Sequence, residues 1–222
     1  MNNQEILENI ILSTNAKEKF FTHYNGQFKE YLDKLIPEIS QSLSTPQQHP
    51  WHIYNVMEHI LVSLEAINKL TNNLDKSEQK LLAYVMLFHD LGKPKCHIKR
   101  TLNGQIVDSF YGHSLESKKI AKRVLHQLNF KQKQIDIIQI LVQEHDFFMH
   151  VNKENLNNPQ TTCLFVEDLL KEIDKLNKVG NGNLLFKYLL YIGRADNLAQ
   201  NLELSKSSLE LINKIEQLMQ DL

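Results

Sequence analysis

Apolar positions along the chain recur at three- and four-residue spacing far more often than they alternate, a period that predicts helices. Over residues 16–43 the stripe Phe20, Phe21, Tyr24, Phe28, Tyr31, Leu32 and Leu35 predicts a helix that Pro37 bends or interrupts. Ser44-Thr45-Pro46 and Pro50 mark a loop. Residues 52–70 read as the next helix, with Val56, His59, Ile60, Ser63, Leu64 and Ile67 on related faces. Asp75 or Ser77 is placed to cap a helix over residues 78–89. Asn103-Gly104, flanked by Thr101 and Val107, signals a small hairpin within residues 95–110. Further helices are expected at 114–129, 131–146, 164–176, 184–202 and 205–219, with loops at 152–159 and 179–183. No internal repeat or low-complexity stretch interrupts this order. The sum is an all-α fold, a helical bundle of roughly eight helices. Residues 1–48 form an N-terminal helical extension and residues 49–222 the main domain.

Composition narrows the class. The 222 residues carry a formal net charge of −1, so no global field draws in nucleic acid or an anionic membrane. Seven Gly and five Pro are few, in keeping with helices. The two cysteines, Cys96 and Cys163, belong to no CxxC pair and imply no disulfide framework, which suits a reduced, cytoplasmic chain. The first twelve residues do not read as a secretory signal, and no apolar run approaches the ~20 residues that span a bilayer.

Candidate chemistry centres on His89-Asp90, an imidazole and a carboxylate side by side at the end of an apolar helical run and just before Gly92-Lys93-Pro94. His59 lies one helix earlier; His113, His145 and Asp196 follow. Each has a plainer reading alone. His59 suits a hydrogen-bonded core histidine. His113 precedes Ser114, a cap candidate, and His145 suits the C-terminal end of a helix dipole. Asp196 sits in a helix rich in Leu and Tyr, where an unpaired carboxylate is costly. Arg194, two residues away, does not face it. Together, histidines and carboxylates on separate helices can converge on one or two divalent metal ions that activate water against a phosphate ester. Asp90 is then the natural bridge between two ions. Lys93 and Arg194 are candidates to touch a substrate phosphate, and His52 to touch substrate or orient a ligand. Lys118, Lys119, Lys122 and Arg123 form a basic face after His113, either a guide for an anionic nucleotide or RNA end or plain solvated surface.

The order His59, His89-Asp90, Asp196 resembles the H…HD…D signature of the HD-domain superfamily of metal-dependent phosphohydrolases. His113 and His145 are similar to the two extra histidines of its binuclear members. The nearest pattern is the HD domain that follows the nucleotidyltransferase head of bacterial tRNA CCA-adding enzymes. The matching runs are 49–59, Phe88-His89-Asp90-Leu91-Gly92-Lys93-Pro94, Phe110-Tyr111-Gly112-His113-Ser114, Leu141-Val142-x-x-His145 and Arg194-Ala195-Asp196. The resemblance covers about residues 46–202. It implies an all-helical fold and hydrolysis of phosphomonoesters or phosphodiesters, often of nucleotides or cyclic nucleotides. By the same resemblance His59, His89, Asp90 and Asp196 bind a first metal, and Asp90, His113 and His145 serve a second. Mn, Ni, Co, Mg or Fe suits this N/O ligand mixture. Two positions depart from the pattern: Asn55 stands where Asp is common, and Ile60 where Ser or Thr is common. The nucleotidyltransferase head has no counterpart in the sequence, which argues against CCA addition. Two other readings stay open: a non-catalytic nucleotide- or RNA-binding regulatory module, and a di-iron oxygenase of the HD type. A homodimer is compatible with the apolar N-terminal helices, and no membrane partner is expected.

Overall fold

In the computed structural model, which describes residues 2–151 and 162–220, the chain opens on α1 (Asn3–Ile11). Asn2 and Glu5 form a capping box there, each side chain bonded to the other's backbone N–H. The helix expected over 16–43 is three: α2 (Ala16–His23), α3 (Gly26–Leu35) and α4 (Glu38–Ser44). Pro37 accounts for the second break. The first falls at Gly26, whose φ of +45° is open to glycine at little cost. The apolar stripe runs across this break and conceals it. Lys17 N–H donates to Glu65 at 2.9 Å, and Arg123 reaches both oxygens of Glu38 at 2.8 and 2.7 Å, tying these helices to the rest.

α5 (Val56–Leu70) starts four residues later than expected because Asn55 caps it, its side chain accepting from Glu58 N–H at 2.8 Å. Residues 45–55 therefore stay outside the helix as a loop. α6 (Lys76–Phe88) begins at the expected cap, Asp75, which makes a second capping box with Glu78. After α7 (Lys93–Cys96) come β1 (Ile98–Leu102) and β2 (Gln105–Ser109), paired antiparallel with Ile98 opposite Ser109 and Leu102 opposite Gln105. Both turn residues, Asn103 and Gly104, have positive φ, as a two-residue hairpin of the expected kind requires. The chain continues through α8 (His113–Gln127), α9 (Gln132–Gln143), the single turn α10 (Phe147–His150), α11 (Thr162–Asn177), α12 (Gly182–Leu198) and α13 (Leu202–Gln220). The loop expected at 152–159 and the side chain of Cys163 lie outside the described residues.

The fold is all-α apart from the hairpin. α12 is the hub: it packs on α5, α11 and α13 and also reaches α6 and α9. Its Leu185, Phe186, Leu189, Ile192 and Ala195 join α5, α6, α8 and α9 in one continuous apolar core, which also takes in Ile10, Leu32 and Ile39 from the N-terminal helices. Each large aliphatic or Phe side chain sealed there contributes about 1.5–3 kcal/mol relative to exposure. No helix among the described residues is long and apolar enough to cross a membrane. The packing brings the C-terminal ends of α6, α9 and α12 and the first turns of α5 and α8 to a common point.

Candidate metal centre

Four imidazoles and two carboxylates meet at that point. His59 faces inward from the first turn of α5; its Nε2 is 2.8 Å from Asp196 Oδ1 on α12 and 3.2 Å from Asp90 Oδ2. His89, just past α6, places Nε2 3.2 Å from His59 Nε2, 3.4 Å from Asp90 Oδ2 and 3.6 Å from Asp196 Oδ1. His113, the first residue of α8, and His145, just past α9, bring their Nε2 atoms within 3.2 Å of one another. These two lie 3.2 and 3.7 Å from Asp90 Oδ1. The donor atoms of His59, His89, Asp90 and Asp196 lie within 4.8 Å of one another, as do those of Asp90, His113 and His145. Asp90 thus presents Oδ2 to the first set and Oδ1 to the second.

The imidazoles are held by a common device. Nδ1 of His59, His89, His113 and His145 lies 3.1, 2.7, 3.0 and 2.8 Å from the carbonyl oxygens of Ala199, Met86, Phe110 and Val142. An Nδ1–H donated there leaves the Nε2 lone pair pointing at the centre, which is how ligating histidines are oriented. Neither oxygen of the buried Asp90 has a hydrogen-bond partner. Lys93 Nζ is 2.7 Å from Asp90 Oδ2 but out of line for a hydrogen bond, so that contact is an ion pair. A buried carboxylate with neither oxygen hydrogen-bonded, between two pairs of facing imidazoles, fits one or two divalent ions of borderline N/O preference.

Electrostatics match. Burial alone penalises the charged forms of Asp90 and Asp196. Around Asp90, Lys93 and His89 overturn the penalty; around Asp196, His59 and His89 do, and both carboxyls stay well below the usual range. Burial likewise opposes an imidazolium at His59 and His89. The paired carboxylates prevail, raising His59 and taking His89 to about 10. His145 goes the other way, down to about 4, chiefly through burial, with His113 and His89 adding to it. The plainer reading of His145 as a cationic cap on the helix dipole is disfavoured, because burial opposes its charge, and the residue stands with the ligand set instead. Ser114, the cap candidate, lies inside α8 instead; Gly112, at φ +81°, turns the chain into the helix, with His113 its first residue.

Lys93 is only 6 % exposed. Its ammonium sits between Asp90 and Gln47 Oε1, the latter at 2.7 Å, with the Phe110 ring 5.4 Å away. Arg194 is not brought to the centre: from the other side of α12 it bonds Glu216 at 2.6 Å and Asn213 at 2.9 Å on α13. Of the basic face, Arg123 is spent on Glu38, Lys118 on Gln143 and Lys119 on Glu116, and Lys122 stays exposed. Sequence reasoning missed Gln47 and Gln200. Gln200 Nε2 donates to Asp196 Oδ2 at 3.1 Å and sits one helical turn beyond it, a spacing that signals the contact. His52 lies against His59, ring centroids 5.9 Å apart and nearly perpendicular. Burial first and Lys93 next push its pKa down to about 3. Asn55, at the position where Asp is common, serves as the helix cap, and Ile60 is core.

Residues 48–199 of the chain match the family model described as HD domain.

Proposed function

The chain belongs to the HD domain family, and on that footing we propose that it is a metal-dependent phosphohydrolase acting on a nucleotide, a cyclic nucleotide or an RNA end. The observation that carries this reading is Asp90, whose two oxygens accept no hydrogen bond and face two separate sets of inward-pointing donors. A divalent ion held by His59, His89, Asp90 and Asp196, with a second held by Asp90, His113 and His145, would lower the pKa of water and offset charge developing on the phosphoryl group. The chain's own residues supply the rest. Backbone carbonyls keep four Nε2 lone pairs aimed inward, and Gln200 fixes the free side of Asp196. Lys93, already beside Asp90, is the nearest cation to pair with a phosphate oxygen as a point charge.

The anionic substrate is supported by charge placement. Residues 93–123 hold eight Lys and Arg against two Asp and Glu, net +6 in a chain of net −1. This stretch comprises α7, the hairpin and the first turns of α8, and it contributes both Lys93 and His113. Tyr111, 94 % exposed, stands two residues before His113 at the edge of a groove of about 610 Å³ lined also by Leu115, Lys119 and Lys122. An exposed ring beside cations suits a base and its phosphates. The likeness of the motif runs to the HD domain of CCA-adding enzymes puts 2′,3′-cyclic phosphates and RNA 3′ ends first among substrates. The catalytic unit is residues 49–222, supported by the N-terminal helices.

The test is turnover of p-nitrophenyl phosphate, bis-p-nitrophenyl phosphate and 2′,3′-cyclic nucleotides by protein loaded with Mn, Ni, Co, Mg or Fe. Hydrolysis of one class, lost in Asp90→Asn, is the expected result. Absence of turnover in every combination, with metal demonstrably bound, would leave the family without its usual chemistry here.

A further inference from the structure

Five histidines crowd the centre, and four of them share one arrangement: Nδ1 on a backbone carbonyl, Nε2 inward. His52 does not. Its Nδ1 is sealed from solvent and has no hydrogen-bond partner, and no protein group bonds its other ring nitrogen among the described residues. Leaving a buried nitrogen unsatisfied is costly, so an imidazole here is less favourable than an apolar ring of similar size. A buried polar atom without a partner calls for a reason beyond packing.

The ring is also held in place. The loop over residues 45–55 is pinned on one side to the hairpin: Gln48 N–H donates to Asp108 Oδ2 at 2.6 Å, and Asp108 N–H donates to Gln48 carbonyl at 2.9 Å. On the other side Asn201 N–H donates to Trp51 carbonyl at 2.9 Å, at the junction of α12 and α13. Val56 N–H closes the base of the loop on Thr45 carbonyl at 3.1 Å. A loop fixed at both flanks presents His52 edge-on to His59 and near Lys93, Asp90 and Asp196.

Resting on the phosphohydrolase reading, we propose that His52 is a substrate-contacting residue, whose Nε2–H, on the ring nitrogen that is not sealed from solvent, donates a hydrogen bond to a non-bridging phosphoryl oxygen beside the metal centre. Its untethered ring excludes it from the ligand set, and its place against His59 puts it at the rim of that set. Divalent ions next to it would disfavour a further positive charge, so the ring acts as a neutral donor and passes no proton.

The experiment compares parent, His52→Ala and His52→Gln, each loaded with the same metal, by two measurements: inorganic phosphate binding by calorimetry, and kcat/KM for bis-p-nitrophenyl phosphate. Metal content and melting temperature should match the parent. Phosphate affinity should fall about tenfold or more in His52→Ala, the loss of a hydrogen bond to a charged group. The value of kcat/KM should fall on the order of 10²-fold, as when one oxyanion donor is removed. His52→Gln, which keeps an N–H donor, should recover part of both. Parent-like phosphate affinity in His52→Ala, or losses that track lost metal, would overturn the assignment. If the parent turns over no ester, the phosphohydrolase reading fails, while phosphate affinity still decides the role of His52.

Discussion

Gly92 lies so close to His113 that a Cβ on Gly92 would sit 2.3 Å from the His113 carbonyl oxygen and 2.6 Å from Ser117 N. Gly92 N–H also donates to Ser117 Oγ at 2.9 Å. The segment carrying His89 and Asp90 is thereby pressed onto the first turn of α8, and this spacing lets Asp90 reach His113. Gly92→Ala must push the two apart, because the obstructing atoms are backbone. We expect a loss of about 1–3 kcal/mol by overpacking. Metal bound by Asp90, His113 and His145 should weaken more than metal bound by the first set. Urea melts and metal titration together check this.

Metal stoichiometry should separate the two sets. Asp90→Ala removes the one carboxylate that serves both and should lower metal content further than any other single change. His145→Ala should cost only the ion that it shares with His113 and Asp90. Elemental analysis of the three proteins after identical loading gives the answer. Equal losses in both variants would mean that the sets do not act as separate ligand groups.

Proton competition sets the pH dependence. In the metal-free protein His59 and His89 are raised, so their contribution to stability is complete below the unfolded value near 6.5 and is lost as pH rises through the folded value, about 10 for His89. Asp90 and Asp196 are depressed, so theirs is present above about 3.9 and is lost as pH falls through the folded values. Metal-free protein should therefore lose stability as pH climbs from about 7 to 10, while metal affinity rises because the ligands shed protons. Calorimetric titration in buffers of different ionisation enthalpy should show net proton release on metal uptake.

Lys93→Met leaves Asp90 without its nearest cation. In metal-free protein this breaks a buried ion pair and should cost about 3–5 kcal/mol. Bound metal supplies replacement charge, so the penalty should shrink in the loaded form. Phosphate-ester turnover should fall even there. Melting temperatures with and without chelator, set beside kcat/KM, test both halves.

Arg194→Gln should leave turnover close to the parent's, since the side chain is committed to Glu216 and Asn213. Its cost should be a modest loss of stability, about 1 kcal/mol or less for such a partly exposed pair. A large fall in kcat with unchanged stability would return Arg194 to the centre.

The sequence made the bundle legible because apolar spacing is local, and α6 and the hairpin begin or turn close to where Asp75 and Asn103-Gly104 placed them. The convergence of His59, His89, Asp90, His113, His145 and Asp196 was readable only through their order, since no local pattern states how far apart α5 and α12 lie. Where Arg194 points was beyond reach for the same reason: its partners are on α13. Gly26 and Gly92 illustrate the other limit. One breaks a helix through backbone φ and the other admits a neighbouring turn, and neither disturbs the apolar stripe.

Three of the four inward imidazoles hang from a carbonyl three residues earlier: His89 from Met86, His113 from Phe110, His145 from Val142. A peptide oxygen is the same whatever side chain it accompanies. The aim of these rings is therefore written in chain geometry instead of in residue identity. Descendants of this protein can change those three upstream positions freely, within packing, and still inherit a correctly pointed centre.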